Sequence, residues 1–164
     1  MTLTLFVPGV PQTQGGMRQV PTVRGNRQIS TGSKDLGSWR AAITELTGWR
    51  MNLQRWQPIT EAPVRVELEF FLPMPKSARA SLRTLGVAYH TARKDIDKLE
   101  RAVLDSLTRA GVYGDDSQVA VLVASKYQVA DHRLVGVLIS VGALGRSSDM
   151  VLVDALSRVS LAAS

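Results

Sequence analysis

Between Ile96 and Ala110 the apolar residues Ile96, Leu99, Val103, Leu107 and Ala110 return every three or four positions, and the run stops at Gly111. That spacing draws one stripe along an α-helix, so the segment must lay one side against a core. Glycine closes such a helix because it takes the left-handed conformation without steric cost. A second stripe, Leu36, Trp39, Ile43, Leu46, Trp49, Leu53 and Trp56, predicts an amphipathic helix from Lys34 to about Gln57 with its three tryptophans in the core. One of those rings would also suit stacking on an unpaired base.

The intervening runs have the period of strands. TLTLFVPG from Thr2, PVRVELEFFLP over 63–73, QVAVLVASKYQV from Gln118 and RLVGVLISV from Arg133 alternate or are rich in β-branched residues. The order β-α-β-α-β-β predicts an α/β fold, a small mixed sheet of about four strands with two packed helices. Its last two strands read as a hairpin across Ala130, Asp131 and His132. We expect one domain over 1–144, with a mobile basic loop at about 11–33 that is rich in Gly, Pro, Gln and Ser. A second loop covers 74–94. In the extension 145–164, Met150, Val153, Leu156 and Val159 return at three-residue steps, which predicts a short terminal helix.

At 164 residues the chain can bury a core without staples. It has no cysteine and only two histidines, His90 and His132, which removes disulfides, thiolate metal sites and a structural zinc site from consideration. His90 reads as a polar contact of the second loop. No signal-like N-terminus and no apolar run near the ~20 residues of a membrane helix are present. The expectation is a cytoplasmic protein with no membrane partner.

Charge is unevenly placed. Residues 1–60 carry Arg18, Arg24, Arg27, Lys34, Arg40, Arg50 and Arg55 against Asp35 and Glu45 alone, and residues 74–94 carry Lys76, Arg79, Arg83, Arg93 and Lys94 against no acid. Basic surface of this kind releases counterions from a polyphosphate, so nucleic acid is the expected partner. Six of the fourteen acids then fall together in RKDIDKLERAVLDSLTRAGVYGDDSQ: Asp95, Asp97, Glu100, Asp105, Asp115 and Asp116.

Carboxylates gathered at one place stay ionised when a cation neutralises them, and oxygen ligands suit Mg²⁺ or Mn²⁺. The same residues also fit plainer roles. Asp95 or Asp97 can cap the helix, Asp97 with Glu100 as a capping box. Asp97, Arg101 and Asp105 fit an i, i+4 ion-pair ladder, and Gly114-Asp115-Asp116-Ser117 is ordinary turn composition. A regular helix would also hold its two acidic ends roughly 20 Å apart, so a second layer or a bend after Gly111 and Gly114 would have to join them.

The runs Lys94-Asp95-Ile96-Asp97-Lys98-Leu99, Ala102-Val103-Leu104-Asp105-Ser106-Leu107, Gly111-Val112-Tyr113 and Asp115-Asp116-Ser117-Gln118-Val119 resemble the core signature of the RusA-type Holliday-junction resolvases. That family carries D-x-D-N-L-x-K, A-x-x-D-A-L and D-D-x-Q, with a lysine in the next strand, here Lys126. The resemblance extends loosely over residues 3–141, including Phe6-Val7-Pro8-Gly9. It implies a homodimeric, Mg²⁺-dependent (or Mn²⁺-dependent) endonuclease of phage or prophage type that cuts branched DNA, four-way junctions, by paired symmetric nicks. It further implies Asp95, Asp97 and Asp116 as catalytic metal ligands with Asp115 beside them, and Arg18, Arg24, Arg27, Arg93, Lys94, Lys98 and Lys126 as DNA contacts. Two positions depart from the pattern. Arg101 stands where the family has lysine, which leaves it an electrostatic catalytic role on the phosphate, and Lys98 stands where the family has asparagine. Two rival readings are a DNA-junction binder without chemistry and a metal nuclease acting on flaps or other branched DNA.

Overall fold

The computed structural model describes residues 1–15, 17–22, 25–30 and 33–145, with side chains given outside 16–32. The expected terminal helix and Arg24 therefore lie outside the described residues, as do the side chains of Arg18 and Arg27.

The frame is a five-stranded mixed sheet. Its strands are β1 (Thr2–Pro8), β4 (Val64–Pro73), β5 (Val87–Tyr89), β6 (Val119–Val129) and β7 (Gly136–Ala143), in the order β1-β7-β4-β6-β5. β4 and β6 run parallel, and every other neighbouring pair in the sheet is antiparallel. On one face the register lines up apolar rows: Leu3, Val141 and Val66; Leu5, Ile139 and Leu68; Val7, Val137 and Phe70. All of these are buried. Two helices cover that face, α1 (Leu36–Gln54) and α3 (Ile96–Ala110).

The α3 stripe behaves as its spacing demands. Leu99, Ala102, Val103, Ser106 and Leu107 are buried, and Gly111 caps the helix at φ 77°. Each fully buried Leu or Val is worth about 1.5–3 kcal/mol relative to exposure. On α1 the stripe is only partly realised. Trp39, Ile43 and Thr47 are buried, and Trp56 follows the helix into the core. Trp49, expected in the core, is 60% exposed.

Four sequence expectations are corrected. Gln118–Val129 and Arg133–Val141 do not form a hairpin, because β4 lies between β6 and β7. A parallel β4–β6 pair needs a long crossover, and α3 supplies it. The segment read as a loop over 11–33 contains a two-stranded antiparallel ribbon, β2 (Met17–Thr22) with β3 (Gly25–Ser30). It is a two-stranded sheet of its own, outside the five-stranded sheet. The second loop holds α2 (Ala80–Leu85), which buries no side chain, and the three-residue β5. The sheet thus has five strands where about four were expected.

The face away from the helices carries an aromatic row. Phe6 and Phe71 lie 6.5 Å apart between ring centroids, Phe71 and Tyr127 5.5 Å, and Tyr127 and Tyr89 5.5 Å. A Cβ on Gly136 would meet the Val7 carbonyl at 2.3 Å and the Phe6 ring at 2.5 Å. The ring occupies the space a side chain would need.

Leu107, 0% exposed between α3 and the sheet, gives a direct test of this packing. Leu107→Ala should lower unfolding free energy by about 2–5 kcal/mol, read as a lower urea midpoint at unchanged slope.

Candidate active site

Asp95 stands at the N-terminal end of α3 in extended conformation, and its side chain makes no cap hydrogen bond. One carboxylate oxygen, Oδ2, instead receives Lys98 Nζ at 2.5 Å. The lysine holds the Asp95 carboxyl below the usual carboxylate range, and the same contact raises Lys98. Asp97, two residues on, is exposed. Its charge, together with burial as the larger cause, raises Glu100. The helix-cap and capping-box readings of this end do not hold. The ladder reading fails as well, because Asp105 pairs with Arg40 of α1 at 3.3 Å rather than with Arg101.

The approach to Asp95 is held by lysines. Lys94 adopts φ 87°, a left-handed conformation unusual for a side-chain-bearing residue. Its Nζ donates to the Pro11 carbonyl and to Gln12 Oε1, and burial lowers its pKa against the opposing pull of Asp35. Lys126 Nζ, from β6, donates to the Lys94 carbonyl at 2.9 Å and to that of Ala92 at 3.4 Å. Both lysines, expected to guide DNA, spend their ammonium groups on backbone carbonyls in this structure. Gln14 N also donates to the Lys98 carbonyl at 2.9 Å, so the segment leading to the ribbon is tied to the first turn of α3. His90 sits nearby with Nδ1 buried and unpartnered, and burial followed by Lys126 lowers its pKa. Arg93 and Arg101 are exposed around this end.

The other acids lie at the far end of α3. Asp115 opens a single 3₁₀ turn (Asp116–Gln118), and its Oδ1 accepts from Ser117 N at 2.9 Å; the Ser117 side chain first, and this backbone contact second, lower its pKa. Gln118 closes a capping box: its Oε1 accepts from Gly114 N (2.8 Å) and Asp115 N (3.1 Å). The same amide's Nε2 donates to the carbonyls of Ile59, Thr60 and Ala62. Gln118 therefore pins the Asp115–Asp116 turn to the connection before β4. Sequence reading gave it no role, although the Asp-x-x-Gln spacing is a capping-box signal. Asp116 is exposed.

The two acidic pairs stay apart within one chain. The fifteen residues of α3 at ~1.5 Å each put about 22 Å between its ends. Among the described residues no group of three or more His, Cys, Asp or Glu lies close enough to share a metal ion. Among the described residues each end of α3 offers two of these carboxylates, and no group of three is gathered in one chain.

The family model of endodeoxyribonuclease RusA matches residues 8–140, most of the chain, and the chain belongs to that family. The family acts on branched DNA as Holliday-junction nucleases. No curated protein matches the chain with significance. Among the described residues no helix is long and apolar enough to cross a membrane.

Lys98→Gln should let the Asp95 carboxyl rise toward its ordinary value, measurable by carboxyl NMR titration. Because the folded value lies below the unfolded one, the pair's contribution is present above the usual carboxylate range and is lost as pH falls through the folded value.

Proposed function

We propose that this protein is a homodimeric resolvase of phage or prophage type that acts in the cytoplasm of a bacterial host. It cuts four-way DNA junctions by paired symmetric nicks and requires Mg²⁺ or Mn²⁺. The observation that carries the reading is the family match over residues 8–140, which encloses all four aspartates and the basic segments around them.

In this reading Asp95, Asp97 and Asp116 are the catalytic carboxylates and the metal ligands, with Asp115 in support. Asp115 is suited to the lesser part because one of its oxygens already serves the turn. Arg101, exposed on α3 four residues after Asp97, stabilises charge on the phosphate and exchanges no proton, since a guanidinium stays protonated. Arg18, Arg24, Arg27, Arg93 and Lys98 grip the DNA backbone, and binding weakens as salt rises. Lys94 and Lys126 act on DNA indirectly, by fixing the loop that presents Asp95. Lys98 sits on Asp95 where the family has asparagine, so it competes with any cation there. Lys98→Asn should lower the Mn²⁺ concentration needed for half-maximal cleavage.

Cleavage of a mobile four-way junction, a flap and a linear duplex, each with Mg²⁺ and with EDTA, tests the reading. The junction should be nicked symmetrically in Mg²⁺ only, and Asp97→Asn should lower the rate by at least about a hundredfold, the scale of losing a group that acts in the transition state. Equal junction binding in EDTA with no cutting under any condition would make the protein a binder without chemistry. Preference for the flap would make it a different branched-DNA nuclease.

A further inference from the structure

We propose that residues 150–159 of this chain dock into an apolar groove on the outer face of the sheet and close it as a third layer. The segment belongs to the extension that follows the family match, which ends at residue 140, and it lies outside the described residues.

The groove is the first observation. Phe6 and Leu138, opposite each other on β1 and β7, line it together with Phe71 of β4 and with Leu85, Val87 and Leu134. Its volume is about 660 Å³, and its one charged lining residue, Asp131, is already paired with Arg133. α1 and α3 cover the opposite face of the sheet. On this side Leu85 is 68%, Leu134 54% and Phe6 40% exposed, so among the described residues nothing closes the groove. A sheet that is apolar on both faces calls for a layer on each.

The second observation is where the chain leaves the sheet. Leu144 N donates to the Pro63 carbonyl at 2.8 Å, so the chain departs from β7 beside the start of β4, at the other end of the same sheet. From Gly145 back to the level of Leu138 is seven extended residues, about 23 Å. Residues 146–149 span up to about 13 Å when extended, and 150–159 add about 15 Å as the helix their spacing predicts. The apolar stripe therefore reaches the groove.

The third observation is the match of pattern along that path. Between the exit and the groove the outer face of β4 presents Arg65, Glu67 and Glu69, all exposed, opposite Gly142, Ser140 and Leu138 of β7. The linker that crosses this charged strip carries one charge of each sign, Arg146 and Asp149. Met150, Val153, Leu156 and Val159 follow where the face turns apolar. A segment tethered this closely acts at a roughly millimolar effective concentration, which favours it over a second copy for the same groove.

Two experiments on the full chain decide the matter, and neither depends on nuclease activity. The chain has no cysteine, so introduced thiols report contact cleanly. Leu134→Cys combined with Leu156→Cys, treated with a short bismaleimide, should give a chain bridged within itself. Leu53→Cys combined with Leu156→Cys should not, because Leu53 is exposed on α1, across the sheet. Any other pattern, including a link between two chains through Leu134→Cys alone, overturns the docking. Trypsin then reads the same contact through Arg158. Leu134→Asp, at a site exposed enough to spare the fold, should speed cleavage after Arg158 by about tenfold or more as the segment is released. Leu53→Asp should leave that rate unchanged. Equal rates in the wild type and Leu134→Asp, or equal acceleration by both variants, overturn the docking.

Discussion

The parallel pairing of β4 with β6 is the constraint on which the molecule is built. A strand cannot return parallel to its neighbour through a tight turn, so the chain has to cross the sheet, and α3 makes that crossing. The helix then runs against the strands, with its first turn over one end of β6 and its last over the other. Residues flanking it inherit that separation. Asp95 and Asp97 are a close pair, as are Asp115 and Asp116, but the crossover holds the two pairs apart as firmly as it holds the sheet together.

Around the first pair the lysines act as internal ties. Lys94 takes a backbone conformation that costs of order 1–3 kcal/mol for such residues, and three contacts offset it: its ammonium on Pro11 and Gln12, and its carbonyl under Lys126. The result is a loop whose position depends on β6, on the segment leading to the β2–β3 ribbon and on α3 at once. At the opposite end a single amide, that of Gln118, does comparable work with five hydrogen bonds.

Elements with a buried stripe were legible in the sequence. β1, α1, β4, α3, β6 and β7 announce themselves by period, and the mixed α/β class follows. α2 buries no side chain and β5 has three residues, so neither leaves a pattern; they read as loops, as does the β2–β3 ribbon. The order of strands was not legible, because two β-rich runs three residues apart look like a hairpin whether or not a third strand slips between them. Trp49 shows the same limit from the other side: its spacing fits the stripe, but its side chain is largely exposed. At the site the four aspartates are legible through the motif they share with the RusA family, while the fifteen helical residues between the two pairs set a separation that local sequence does not resolve.

Gly136 carries a consequence for how sequence variation in this fold should be interpreted. It is a strand residue with no left-handed φ, so it has none of the conformational reasons that usually keep a glycine. What holds it is vacancy: the Phe6 ring and the Val7 carbonyl fill the volume of its missing side chain. A smaller residue at 6 would clear the ring but leave the Val7 carbonyl in place, so a methyl group at 136 also requires the edge strand β1 to shift. The aromatic row across the outer face therefore starts from an absence that the backbone of β1 itself enforces.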